Sequence, residues 1–289
     1  MAMAAADQCD YRDGKWVWDD EHGGGGGTRY DSENCDMKMT YKCVVNGKPD
    51  GGYLHWRWQP AGCNLSTLDP AAFLRLVRGK RLAFVADSSA HNQAEALFWR
   101  WAFPAPHDVN ISTYWSPFLV RSEGHSKDYG MAHEVVILDA LTEPWTADLD
   151  AMDMMVISAG HKFPHNAIYY DDGEIVGVYN RPDLNRTEMS VVTAREAKVG
   201  DTEAVLRKAV LDELTVAAAR RQGLWFEVLD VTRLAAMRPD EHPGIYIFKH
   251  AYAGGPVPEM APNDCLHWCT PGPVDMFNDT LMQMIAAGG

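Results

Sequence analysis

The run Arg81-Leu-Ala-Phe-Val-Ala-Asp87 constrains the fold more than any other stretch of the chain. Its apolar residues are continuous rather than alternating, which is the pattern of a strand buried on both faces. A helical pattern follows at once over residues 89–101, with Ala94, Leu97, Phe98 and Trp101 on one face. The alternation then recurs. Residues 111–115, 134–140, 153–159 and 225–232 read as strands, and residues 143–152 and 201–221 as helices. In the last of these Asp201 is a cap and Val205, Leu206, Ala209, Val210 and Leu214 form the buried side. Apolar strands separated by helices give an α/β domain with a parallel sheet covered on both faces. In such folds the chemistry gathers beyond the C-terminal ends of the strands.

The first quarter reads differently. Residues 9–79 are rich in turns, with a glycine run from Gly23 to Gly27, and Trp16, Trp18, Trp56 and Trp58 supply large apolar area. Such a segment needs a partner to pack on. The 289 residues therefore divide into a Cys/Trp-rich N-terminal segment, 1–79, packed on a main domain, 80–289. Cys9, Cys35, Cys43 and Cys63 crowd this segment, while Cys265 and Cys269 lie near the end. Their spacing suits disulfides better than a tetrahedral zinc site. Four sequons, at Asn64, Asn110, Asn185 and Asn278, agree with an oxidising, secretory setting. A net charge of −14 argues against nucleic acid or an anionic membrane surface as partner and leaves sugar chains open. No window is long and apolar enough for a membrane helix, and the opening residues form no secretory apolar region.

Two turns carry candidate chemistry. In Phe84-Val-Ala-Asp-Ser-Ser89 a serine falls between strand and helix, where a hydroxyl projects from the sheet edge and helix N–H groups face an oxyanion. A serine there can also be no more than an N-cap. In Asp264-Cys-Leu-His-Trp-Cys269 a carboxylate precedes a histidine by three residues, so it can hold one imidazole nitrogen and leave the other for a serine proton. Ser158-Ala-Gly-His-Lys162 ends another strand, with small and polar residues suited to a site floor, and His242, between prolines, reads as structural.

Further motifs complete the picture: Gly14-Lys-Trp-Val-Trp18, Arg29-Tyr30 with Cys35, Asn46-Gly-Lys-Pro-Asp50, Trp56-Arg-Trp58, Phe73-Leu74 with Arg78-Gly-Lys-Arg81, Asp87-Ser88 with Asn92-Gln93, Tyr114-Trp-Ser-Pro-Phe-Leu-Val120, Gly160-His161, Arg238-Pro-Asp240 with His242-Pro243, and Asp264-Cys-Leu-His-Trp-Cys269 with Pro271-Gly272. In this order they resemble the plant trichome birefringence-like proteins, which carry the PC-esterase domain of the SGNH/GDSL superfamily. The resemblance spans nearly the whole chain. It implies a three-layer α/β/α sandwich with a mainly parallel sheet, in a Golgi enzyme that O-acetylates a cell-wall polysaccharide such as xylan, mannan or pectin.

The same resemblance implies roles residue by residue. Ser88 is the acyl-carrying nucleophile, with Asp264 and His267 completing its triad, and Asp87, His91, Asn92, Ser158, Gly160 and His161 belong to the oxyanion and substrate side. Two family bridges survive, Cys9 to Cys63 and Cys43 to Cys269, with Cys35 and Cys265 left over. No metal and no bound cofactor is implied, only an acetyl donor, acetyl-CoA or another. Membrane attachment is implied only through an anchor that these residues do not contain. The chain departs from the pattern at Ala86, where a glycine is usual, at His91, where an arginine is usual, at Ser158, where an asparagine is usual, and at Lys162, where an aromatic is usual. A family stretch is also missing after Arg221. The expected function is O-acetyl transfer to a polysaccharide, xylan first, by double displacement on Ser88. An acetylesterase of the same fold and a catalytically weak polysaccharide-binding protein are the alternatives.

Overall fold

The computed structural model describes residues 9–19, 41–100, 108–125, 127–128, 130–141, 145–158, 162, 166–179, 227–249 and 263–288. The helix expected over 201–221, Cys35, Asn185, Gly160 and His161 lie outside them. The chain forms two compact units. One comprises Met1–Arg78, Asn92–His107 and Leu229–Gly289, and the other Gly79–His91 and Asp108–Val228.

In the second unit the constraining run forms β3, Arg81–Ala86, the middle strand of a parallel three-stranded sheet. Its neighbours are β4, Asn110–Trp115, and β7, Met154–Ser158. Leu82, Ala83, Phe84, Val85 and Ala86 are all buried, so both faces of β3 are covered, as a continuous apolar run requires. Ala83 and Val85 pack with Trp145 on one face. Trp145 is the anchor of a stretch expected to be helical, yet the described part of 143–152 contains turns and a single 3-10 turn, Leu149–Ala151.

A second sheet was not expected from the sequence. It is mixed, in the order β5, Val120–Gly124, β6, Glu134–Leu141, β8, Ala167–Asp171, and β9, Glu174–Tyr179. Its parallel pair is β6 with β8. Asp172-Gly173 turns β8 into β9 with φ of +48° and +79°, the two positive angles of a type I′ hairpin.

In the first unit β1, Gly14–Trp18, pairs antiparallel with β2, Trp56–Pro60, placing Trp16 opposite Trp58 and Trp18 opposite Trp56. This small sheet corrects the irregular reading of 9–79. Trp58 is buried with Leu234, Trp268, Val274, Met276 and Phe277, and the Trp16 indole N–H donates to the Leu234 carbonyl at 3.0 Å. Leu234 belongs to α3, Thr232–Ala236, a correction to the strand expected over 225–232. Just before it, the Asp230 carboxylate accepts from the Thr232 N–H at 3.2 Å. Short α1, Pro70–Leu76, is capped by Asp69.

The last helix, α4, is Val274–Gly288. Its first three turns are buried on all sides, polar residues included. Asp279 accepts from the Leu68 N–H at 2.8 Å, and Asn278 donates to the Gln93 carbonyl at 3.1 Å. That seals the sequon at Asn278: a fully buried amide in a helix cannot accept a glycan in the folded protein. Asn64 and Asn110 are exposed.

Candidate active site

The nucleophile turn follows directly from the central strand. Helix α2, Ser88–Arg100, begins two residues after the end of β3. Asp87, fully buried, caps it by accepting from the Ser89 N–H at 3.0 Å. The cap is therefore Asp87, and the half-buried Ser88 hydroxyl is not needed for that work. Ser158 ends β7 in register with Ala86, and its carbonyl accepts from the Asp87 N–H at 3.4 Å. Ala86 is not among the residues with positive φ, so the turn asks for no glycine there. His91, one turn into the helix, packs edge-on to Trp115 at 5.5 Å. Burial lowers its pKa, against the pull of Asp87, so His91 offers no second positive charge near neutral pH.

The other turn is held at several residues. The Asp264 backbone pairs in both directions with Gly244, at 2.8 and 2.9 Å. One carboxylate oxygen of Asp264 accepts from the N–H groups of Leu266 and His267, both at 2.9 Å. The other accepts from His267 Nδ1 at 2.7 Å, which fixes the tautomer with Nε2 unprotonated in the neutral ring. Burial pushes the Asp264 pKa up, but the hydrogen bonds from the His267 side chain and from the two backbone N–H groups outweigh it, and the group sits at about 2.

Around this pair the packing is close. The Tyr41 ring stacks on the imidazole at 4.7 Å. His242 Nδ1 donates to the His267 carbonyl at 2.7 Å, while its ring stacks on Trp268 at 4.1 Å. Cys269 is bonded to Cys43, and its N–H donates to the Glu241 carbonyl at 2.9 Å. A Cβ on Gly272 would collide with the Cys269 carbonyl oxygen, so the turn into α4 admits only glycine. Asn92 of α2, fully buried, accepts from the Trp268 N–H at 3.0 Å and donates to Thr270 Oγ1 at 3.4 Å. His267 Nε2 is sealed from solvent and has no hydrogen-bond partner among the described residues.

Models of two families match the chain. One is described as PC-Esterase, a GDSL/SGNH-like acyl-esterase family found in Pmr5 and Cas1p, over residues 97–210 and 187–284. The other, the PMR5 N-terminal domain, matches residues 7–64. The chain belongs to the PC-esterase family. Among its relatives is Xyloglucan O-acetyltransferase 1 of Populus trichocarpa, 34% identical, with 98% of this chain and 82% of the relative covered. Xyloglucan O-acetyltransferase 1 of Arabidopsis thaliana is also 34% identical, over 96% of this chain and 80% of that one. Protein trichome birefringence-like 24 of Arabidopsis thaliana is 28% identical over 98% and 82%. The first of these alignments runs over 361 positions against a chain of 289 residues, so the relative carries internal stretches that this chain lacks. This PC-esterase is an enzyme, an O-acetyltransferase, with an SGNH-like fold.

Both bridges implied by the resemblance are present in this PC-esterase, Cys9 to Cys63 and Cys43 to Cys269, and Cys265 is free and exposed. Asp264 and His267 are brought together, as are Asn92 and the loop of His267; Ser88 and Ser158 sit at the ends of their own elements in the other unit. Asn92 and Asp87, expected on the oxyanion and substrate side, make hydrogen bonds within the protein: Asn92 with Trp268 and Thr270, and Asp87 with the Ser89 N–H. Tyr41, which stacks on the imidazole, escaped the sequence reading, since nothing in its neighbourhood marks one tyrosine among 11.

Proposed function

We propose that the chain O-acetylates xyloglucan, rather than the xylan suggested first, through an acetyl-Ser88 intermediate. In the first half-reaction Ser88 Oγ attacks the acetyl carbonyl carbon of the donor while His267 Nε2 takes the hydroxyl proton. The bond to the donor's leaving group then breaks, and that group departs with the proton from Nε2. In the second half a sugar hydroxyl attacks the acetyl-serine, gives its proton to Nε2, and Ser88 regains it as the ester leaves. Asp264 holds the ring with Nδ1 protonated and stabilises the imidazolium formed in each half. Ser158 is the side-chain candidate to donate to the oxyanion.

The observation that carries this reading is the Asp264–His267 pair, bonded at 2.7 Å on Nδ1 with Nε2 left unclaimed. It is supported by chain connectivity, since Ser88 opens the same helix whose Asn92 holds the residue after His267. The acceptor is taken from the relatives named xyloglucan O-acetyltransferases. The test is to incubate the protein with acetyl donor, quench, and locate the acetyl group by peptide mass spectrometry. It is expected on the peptide carrying Ser88 and lost when a xyloglucan oligosaccharide is added. An acetyl group on Ser89 or on no serine, or faster discharge to a xylan oligosaccharide, would overturn the nucleophile or the acceptor respectively. The two disulfides support placement in an oxidising compartment, which we take to be the Golgi lumen; a fluorescent fusion found in the cytosol would contradict it.

A further inference from the structure

Glu95 is a carboxylate with no role in the triad. It lies on α2 seven residues after Ser88, so the two fall within about 20° of one stripe of the helix. The turn that carries it packs on the histidine loop: Asn92 holds the Trp268 N–H, and Ala96 shares a buried cluster with Trp268. Glu95 Oε2 and His267 Nε2 are both sealed from solvent, and neither has a hydrogen-bond partner among the described residues. Burial raises the Glu95 pKa, and the charge of His267 pulls it back down. Four titratable groups interact with His267 among the described residues, three with its ring and one with its backbone. They are Asp264 on its own loop, Tyr41 stacked on the ring, His242 on the backbone carbonyl, and Glu95 from α2.

We propose that Glu95 is a positioning residue that acts through His267: its carboxylate, from the α2 side, favours the imidazolium that forms when Nε2 takes a proton. Asp264 fixes the ring from Nδ1, and Glu95 adds a second negative charge without a bond. The coupling is reciprocal, because what the imidazolium gives to the Glu95 anion, the anion returns to the imidazolium. As pH falls and Glu95 takes up its own proton, that support is withdrawn.

This inference rests on the reading of His267 as the base, and the experiment separates the two. Glu95→Gln keeps the shape and removes the charge. In the Ser88→Ala protein, which does no chemistry, the His267 ring protons followed by NMR should titrate about one pH unit lower with Glu95→Gln than without it. In the otherwise unaltered enzyme the acid limb of kcat/KM should move the same way and kcat should fall about tenfold. Glu95→Asp, which keeps the charge, should restore most of the limb's position. A titration unmoved by Glu95→Gln overturns the proposal even if Ser88→Ala is inactive. A moved titration together with an active Ser88→Ala protein sustains the coupling and removes the triad. Should Glu95→Gln fail to fold, the labelled Glu95 carboxyl carbon can be followed instead. It should titrate at higher pH in His267→Gln than in the unaltered protein, and no difference overturns the proposal.

Discussion

At the Ser88 turn the ties are backbone bonds and one cap: β3 ends, Asp87 caps the helix that follows, the Ala86 carbonyl accepts from the Ser116 N–H, and the neighbouring strand supplies the Ser158 carbonyl. The Asp264–His267 turn is held instead from three stretches distant in sequence, by Tyr41 and Cys43, by Asn92, and by Glu241 to Gly244. The difference fits what the proposed mechanism asks of each group. A serine at a strand–helix junction is presented by backbone geometry alone, whereas an imidazole that takes and returns protons must keep its ring plane, tautomer and surroundings fixed. Outside any helix or strand, the second turn acquires its rigidity from side chains added to its backbone bonds with Gly244 and Glu241.

The largest effect should come from removing the functional side chain of either turn. Ser88→Ala and His267→Ala should each lower acetyl transfer by on the order of 10⁴-fold, and the double variant by no more than either, because the two act as one unit. Ser88→Ala should leave thermal stability unchanged, while Ser89→Ala should leave activity within a few fold. Additive losses, or an inactive Ser89→Ala beside an active Ser88→Ala, would show that the turns do not work together. Next in size is the tie between Cys43 and Cys269. Replacing both with alanine should cost about 2–5 kcal/mol in denaturant unfolding and most of the activity. The same change at Cys9 and Cys63, far in sequence from either catalytic turn, should cost stability with much less activity.

A third measurement separates the turns by pH. Asp264 is held at about 2 in the folded protein, below the roughly 3.9 of an unfolded aspartate. It therefore contributes stability that is present above the unfolded value and lost as pH falls from about 5 toward 2. Asp264→Asn should remove that part of the acid loss while Ser88→Ala retains it; identical acid curves for the two variants would contradict the assignment. Asn92→Ala strands a buried Trp268 N–H and should destabilise by about 1–3 kcal/mol, with activity falling alongside. Smallest of all is Ala86→Gly. Because Ala86 ends a strand without positive φ, glycine gains nothing in rate and should cost roughly 0.5–1 kcal/mol.

The same contrast governs how much the sequence discloses. The β3–Asp87–α2 junction is legible because continuous apolar residues, a capping aspartate and a helical stripe are adjacent in the chain. The Asp264–His267 pair is legible for a similar reason, three residues of separation. The clamp on that pair is not, since the stack of Tyr41 on His267 and the bond from Asn92 to Trp268 join residues far apart in sequence. Both disulfides came from family resemblance rather than spacing. The second sheet was missed despite Asp172-Gly173, a strong hairpin signal, because Ile168-Tyr-Tyr170 and Ile175-Val-Gly-Val178 are short and only loosely alternating. The strand expected over 225–232 failed because its described residues 227–231 are irregular and a helix begins at Thr232, with Asp230 bonding the Thr232 N–H where the apolar pattern suggested extension.

The Cys43–Cys269 bridge spans 226 residues, and this fixes an order of events during synthesis. A ribosome adding about 5–20 residues per second leaves Cys43 waiting roughly ten to forty-five seconds for its mate. Cys9, Cys35 and Cys63 all emerge long before Cys269 does. The first oxidations available to the nascent chain are therefore among these early cysteines, and any that capture Cys43 must be exchanged afterwards. His267 lies two positions before the late cysteine. A chain released midway between the two cysteines therefore carries Ser88 without Asp264, His267 or the partner that Cys43 needs.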